Sequence, residues 1–471
     1  MLEFLEKVTT HISNFMYTYI LVIILILGGL FFTLRSKVAQ FRLFGQQIKA
    51  VSEKPTDKKG VSSFQALMVS TASRVGTGNI IGVSSALCLG GFGSVFWMWV
   101  IAIIGGASAF VESTLAQIYK KRGPDGSYGG PSYYIEATLK SRPLAIMFSV
   151  FLILTYGFGF NMLASYNLQS TFAPYGFYQK NPTRWALIIG FIVALLVCYC
   201  LFGGGKRIVK VTSLLVPVMG IAYILVAILI VVLNYKTLPA VFSRIFAEAC
   251  DFKAIFGGFT GSCVMHGIKR GLFSNEAGIG SAPNASASAE ISHPAKQGLV
   301  QVLSVFIDTI LICTATAFMG MCSGVEPTEE LSGAPFIQAS LKSTLGNFGP
   351  IFITVAMILF AFTTLIGNLF YVDKGLAHIM GRVPGRKFMR IYYVIASLII
   401  FIGAGLNAGL LWNIADITMG LMAIINIPII IYLSKYAFRA LKNYEKQLKE
   451  GRDPVFRAKD IGLPHKTDYW N

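Results

Sequence analysis

Residues 63–91 read SFQALMVSTASRVGTGNIIGVSSALCLGG. The stretch is long and apolar enough to cross a bilayer, yet Arg74-Val75-Gly76-Thr77-Gly78-Asn79 interrupts it. Glycine has no Cβ and loses more chain entropy on ordering, which costs a helix about 1 kcal/mol per residue against alanine. Two glycines around a threonine, followed by asparagine, place an unwound segment and polar groups at one depth. Unpaired N–H and C=O groups cannot face lipid, so such a break is tolerated only against protein or a wet cavity. N–H groups opening the second half-helix suit a carboxylate, and carbonyls ending the first suit a cation. Gly76, Thr77, Gly78 and Asn79 are thus candidate substrate residues. A plainer reading, in which the glycines only let helices pack closely, competes with this one.

The whole chain shares the apolar character. Its 471 residues are 54% hydrophobic and only 13% charged, with a mean hydropathy of +0.64, which excludes an ordinary soluble globule. Apolar runs of about twenty residues, the length that spans hydrocarbon, occur at 16–34, 63–91, 96–119, 144–168, 185–202, 211–234, 298–321, 350–371, 391–406 and 411–436. With the Gly-rich segment 255–291 they predict eleven spans. The net charge of +18 does not imply nucleic acid, because the basic residues sit in alternate loops. Of the 40 Lys and Arg, 32 fall on one side of this layout and 7 on the other, which predicts an outside N-terminus and a cytoplasmic C-terminus. The start, with Glu3 and Glu6, lacks the basic region of a cleaved secretory signal. The seven cysteines lack metal-site spacing and read as core residues.

Eleven spans divide as one plus five plus five within a single membrane domain: an extra helix at 16–34, a first repeat at 63–234, a second at 255–436, and a basic tail at 437–471. Since five is odd, the repeats must be inverted. Inverted repeats that each open on an interrupted helix point to a secondary transporter. The second interruption lies in 273–284, FSNEAGIGSAPN. The preferred placement makes 255–272 one half-helix, 273–280 the unwound part and 285–291 the other half. A rival puts the break at 257–261. Under the first placement Phe273, Ser274 and Asn275 form the wall opposite Gly76–Asn79, and the buried Lys269 and Arg270 need partners, for which Glu276, Asp308 and Glu112 are candidates. Asp308, alone in an apolar span, is expected to pair with Arg270 or Arg74 in a gate, or to relay protons. Glu112 and Asp416, nearer span ends, are expected to snorkel or cap.

Several stretches together resemble the bacterial and archaeal sodium:alanine (alanine or glycine:cation) symporters of the amino acid/polyamine/organocation superfamily. They are Val75-Gly76-Thr77-Gly78-Asn79 with Gly82; 90–99, GGFGSVFWMW; Gly129-Gly130-Pro131 with Tyr133-Tyr134; 270–278, RGLFSNEAG, with 280–284, GSAPN; Phe306-Ile307-Asp308-Thr309; and Asp416 with Leu421-Met422-Ala423. The resemblance covers residues 20–436. It implies an all-α membrane protein of the LeuT-type 5+5 inverted-repeat fold in a prokaryotic cell membrane, and sodium-coupled uptake of small neutral amino acids by alternating access. Sodium is then the co-transported ion, and neither nucleic acid nor an oligomer is required. The resemblance also implies a sodium site in which Thr363 and Thr364 face the Ala72 and Val75 carbonyls, with the Phe360 carbonyl as a further ligand. Helical back-bonding of the two hydroxyls is the alternative.

Two positions depart from the family pattern. The third core helix carries Asn161-Met162-Leu163-Ala164-Ser165-Tyr166 where the family often has glutamine at the position of Ala164, and the eighth carries Gly367-Asn368 where Gly-Trp is usual. Asn368 is therefore expected to line a larger or more polar pocket, and glutamine joins alanine and glycine as a candidate substrate. No nucleophile–base set, metal cluster or P-loop is present in the sequence, which argues against an enzyme and an ATP-driven pump. A channel and a proton-coupled permease are the remaining alternatives.

Overall fold

The structure is a computed structural model that describes residues 2–55, 60–124, 126–258, 262–464 and 467–470. Among these residues, eight helices are long and apolar enough to cross a membrane. The broken stretch adds a shorter apolar helix, 78–90. Helix Arg386–Gly403, which carries three basic residues near its start, is a further apolar rod of 18 residues.

Several boundaries differ from the sequence reading. The first helix begins at Leu2 rather than 16. Leu2–Phe15 is amphipathic and continues through a π-helical turn, Met16–Leu21, into Val22–Arg35. Its polar residues hide it from an apolar-run criterion. The last helix is Ala408–Lys449, so the first part of the 437–471 tail is helical. The connection at 235–253 holds an amphipathic helix, Leu238–Ala249. Among the cysteines, all free, Cys200, Cys263, Cys313 and Cys322 are buried as expected, but Cys250 is exposed.

Both interruptions are present. Ser63–Arg74 starts on a capping box in which the Ser62 hydroxyl accepts from Gln65 N (3.2 Å) and the Gln65 side chain accepts from Ser62 N (2.9 Å). It stops at Val75, whose backbone (φ −76, ψ 88) leaves the helical region. A π-helical turn, Gly78–Gly82, then opens the second half, Val83–Gly90. The second interruption falls later than predicted. The half-helix is Cys263–Asn275, capped by Ser262, rather than 255–272; a separate helix, Phe252–Gly257, precedes it. Residues 259–261 of the rival placement lie outside the described residues. Unwinding begins at Glu276 (φ 54) and continues through Gly278 (φ 86) and Gly280 (φ 88), and Pro283–Ser286 is only one turn. The remaining half-helix expected at 285–291 is thus cut short.

The tail after the last helix packs onto this region. Trp470 Nε1 donates to Gln117 O (2.8 Å), Phe456 N donates to Ser292 O (3.0 Å), and Lys120 lies over the Tyr469 ring. Burial pushes the Lys120 ammonium down to about 8, against the opposing pull of Glu290 3.8 Å away.

Candidate substrate and sodium site

The two breaks face each other. A Cβ built on Gly78 would sit 2.8 and 2.9 Å from ring atoms of Phe273, so only glycine permits this approach. Between them lies an enclosed cavity lined by Ser73, Arg74, Gly76, Thr77, Gly78, Phe160, Phe273 and Thr364. Its volume, about 10 Å³, holds roughly one water. Phe160 and Trp412 flank Phe273, with ring centroids 4.6 and 4.8 Å away. Gly76, Thr77, Gly78 and Phe273, read from sequence as substrate residues, thus line the cavity, together with Arg74 and Thr364, read as gate and sodium residues. Ser73 and Phe160 were not anticipated. Phe160 follows Gly157-Phe158-Gly159, a pattern that packing alone explains as well.

Asn79, Ser274, Asn275 and Asn368 are placed elsewhere, which corrects their assignment to the pocket wall. Asn79 Oδ1 accepts from Gly76 N (2.7 Å), and its Nδ2 donates to Asp308 Oδ1 (2.7 Å) and Ser274 Oγ (3.0 Å). It therefore pins the first break to the second. It also consumes the Gly76 N–H that the sequence reading offered to a carboxylate. The Asn275 side chain accepts from Ala277 N (3.0 Å) and shapes the turn. Asn368 is fully buried, donating to Asn161 Oδ1 (2.9 Å) and accepting from the Ser73 hydroxyl (2.7 Å).

The expected ion pairs also change. Asp308 accepts from Asn79, from the Ser274 hydroxyl (2.8 Å) and from the Thr309 hydroxyl (2.8 Å). Among the described residues it has no cation at ion-pair distance. Glu276 joins the two breaks through neutral donors, the hydroxyls of Ser73 (2.9 Å) and Ser281 (2.7 Å). Arg74 donates to Gln301 Oε1 (3.0 Å) rather than to an acid. Of Arg74, Arg270, Glu276 and Asp308, only Arg270 is in an ion pair among the described residues, and its partner is Asp416 (3.4 Å), which also holds Lys269 (2.9 Å). Arg270 lies over the Trp412 ring, 4.0 Å from its centre. Asp416 is therefore no cap. Its single carboxylate pairs with two buried cations that an unpaired state would penalise heavily.

Glu112 does not snorkel either. Fully buried on Gly93–Ile118, it accepts from Gly278 N (3.3 Å), Gly280 N (3.1 Å) and Asn426 Nδ2 (3.0 Å). These backbone donors are orphans of the unwound segment, and the carboxylate satisfies them inside the protein. Glu112→Gln puts an amide N–H against at least one of those donors. Leaving a buried donor unpaired costs about 1–3 kcal/mol, so the variant is expected to unfold at lower temperature in detergent and to transport more slowly. An unchanged unfolding midpoint would contradict the assignment.

Of the implied sodium ligands, Thr364 Oγ1 donates across the helix interface to Ala72 O (3.2 Å). Helix Phe348–Ile379 comes this close because Gly367 lies against the backbone of Ala72 and Ser73. Val75 ends the first half-helix with a non-helical ψ of 88°. Thr363 Oγ1 instead donates to Leu359 O (2.9 Å) and Phe360 O (3.1 Å) within its own helix. The five positions thus form two groups, Ala72 with Thr364 and Phe360 with Thr363, and Val75 completes the break. Hard oxygens of this kind suit an alkali cation.

A description of the sodium:alanine symporter family matches residues 2–458. The chain is 42% identical to "Amino-acid carrier protein AlsT" of Bacillus subtilis, over 97% of this chain and 96% of that one. It is 40% identical to "Probable sodium/glutamine symporter GlnT" of the same organism (99% and 96%), and 35% identical to "Sodium/alanine symporter AgcS" of Methanococcus maripaludis (92% and 95%). Among solved structures, that of MhsT in complex with L-phenylalanine superposes with a TM-score of 0.59 at 17% identity, covering 87% of this chain and 94% of that one. At that identity the likeness concerns the fold alone, which is LeuT-like.

Proposed function

Because the chain belongs to the sodium:alanine symporter family, whose members are multi-pass membrane transporters that carry sodium with their substrate, we propose that it drives a small neutral amino acid into a prokaryotic cell on the sodium gradient, by alternating access at the meeting point of its two broken helices. The observation that carries this reading is the cavity between Gly78 and Phe273, whose ring packs between Phe160 and Trp412. Its present volume admits no amino acid, so Phe273 must swing for substrate to enter. The substrate carboxylate then meets the backbone of Thr77 and Gly78, at the positive end of the second half-helix. Sodium sits against the Ala72 and Val75 carbonyls and Thr364 Oγ1, with Thr363 and Phe360 on the adjacent turn.

In this reading eleven helices cross the membrane, the last ten as two inverted groups of five, with the N-terminus outside. Setting aside Lys269 and Arg270, which are buried rather than in a loop, leaves 30 basic residues against 7 across the two sides, so the orientation argument survives. One chain carries the whole site, and an oligomer is not required. Alanine and glycine are the first candidates. Glutamine is the next, since one relative is named for it. The Arg270–Asp416–Lys269 cluster lies on the outer side of the cavity and serves as the extracellular gate.

Radiolabelled uptake into proteoliposomes, over a panel of amino acids with and without a sodium gradient, tests this directly. Saturable alanine uptake that needs sodium is expected; uptake driven by a proton gradient alone, or non-saturable flux, would overturn it. Thr364→Ala is expected to raise the sodium half-saturation roughly tenfold, the equivalent of one lost ligand at about 1.4 kcal/mol. Thr363→Ala should do less, because its hydroxyl already serves its own helix.

A further inference from the structure

The helix that precedes the two repeats has no evident place in a mechanism built on their symmetry. Its contacts nevertheless converge on the gate. Lys269 Nζ donates to Ser13 Oγ (2.9 Å) as well as pairing with Asp416 (2.9 Å), and it lies 5.1 Å from the centre of the Tyr17 ring. Ser13 and Tyr17 are both fully buried. Tyr17 sits in the π-helical turn Met16–Leu21, a local widening that re-aims side chains and often marks a functional position. The Tyr17 hydroxyl has no hydrogen-bond partner among the described residues, so the ring face is what this residue offers the ammonium. One turn earlier, Thr10 Oγ1 accepts from Asn413 Nδ2 (2.7 Å), three residues before Asp416. The first helix thus grips the gate helix Ala408–Lys449 and completes the coordination of the gate cation on Cys263–Asn275.

We infer that the first helix is a working part of the extracellular gate, with Ser13 and Tyr17 as positioning residues that hold Lys269 onto Asp416 in the closed state. The inference rests on the transport reading above. A buried ammonium needs more than one oxygen of a carboxylate whose other oxygen faces Arg270; the Ser13 oxygen and the Tyr17 ring supply the rest. Removing either destabilises the closed gate relative to the open one, where the cluster is hydrated and gains least from them.

Gly82 provides the reporter. A Cβ there would lie 3.8 Å from both Arg270 and Trp412, ordinary contact distance directly beneath the gate. In the full chain with the seven native cysteines replaced, Gly82→Cys is labelled from outside by a membrane-impermeant maleimide in sodium. Ser13→Ala and Tyr17→Leu are each expected to speed labelling on the order of tenfold, the effect on a two-state ratio of losing one hydrogen bond to a buried charge, or one desolvated cation–ring contact. Ser13→Thr, which keeps the hydroxyl, and Tyr17→Phe, which keeps the ring, are expected to label at the parent rate. Parent-rate labelling in Ser13→Ala and Tyr17→Leu would overturn the inference. So would equally fast labelling in the conservative variants, since it would mean that packing alone is at stake. Sodium-driven alanine uptake by the unaltered chain is measured alongside. Its absence overturns the transport reading and this inference with it, whereas unchanged labelling in a chain that does transport overturns only the role of the first helix.

Discussion

Gly78→Val is expected to abolish saturable substrate binding in a chain that still folds. Even the first carbon of a side chain at this position would meet the Phe273 ring at 2.8 Å, where that ring packs against Phe160 and Trp412 in the closed state. Two further methyls fill a cavity already no larger than one water. Valine also resists the backbone of an unwound turn, being stiff at χ1. Binding of labelled alanine to purified, monodisperse protein is the measurement. Parent-like affinity in a folded Gly78→Val chain would remove the break from the substrate site.

Asp416→Asn carries the largest expected loss of stability. Lys269 and Arg270 are 5% and 8% exposed, and Asp416 is not exposed at all. The substitution keeps the shape but strands two cations in the protein interior. Breaking a buried pair by removing one partner costs about 3–5 kcal/mol, more than the loss of any single neutral hydrogen bond in the site. The unfolding temperature in detergent is expected to fall by several degrees, and Lys269→Met added to Asp416→Asn is expected to recover part of the loss. A single variant with the parent midpoint would mean that the cluster is hydrated and the pairing incidental.

Local chemistry was legible in the sequence, and long-range pairing was not. The first break is announced by Gly76-Thr77-Gly78, because glycine's backbone freedom acts within a few residues. Its wall Phe273 could be named because the second interruption is equally glycine-rich. The exact unwinding point was missed by a few residues because Ser274 and Asn275, though polar, remain helical, while Glu276 takes the left-handed turn that its bonds to Ser73 and Ser281 support. Asp416 looked like a helix-end residue, and only packing brings it to Lys269 and Arg270, about 146 positions earlier for the arginine. For the same reason Lys269 and Arg270 read as buried cations that need a partner, while Asp416 is not among the acids named for them. Asn79 and Asn368 bond to cavity-lining Gly76 and Ser73 without lining the cavity themselves, since composition says nothing of which partner a buried amide finds. Thr364 reaches across to Ala72 and Thr363 does not, a distinction set by helix rotation and invisible in the pair of letters.

The central claim is that substrate and sodium meet at one break. The sodium dependence of alanine affinity in the purified chain tests it most directly. If the Thr77–Gly78 backbone and the Ala72–Thr364 oxygens flank the same unwound turn, each ligand orders the segment that the other needs, and the linkage is reciprocal. The dissociation constant for alanine is expected to fall steadily as sodium rises, and this coupling is expected to weaken in Thr364→Ala. An alanine affinity independent of sodium, in protein that binds alanine, would contradict the account.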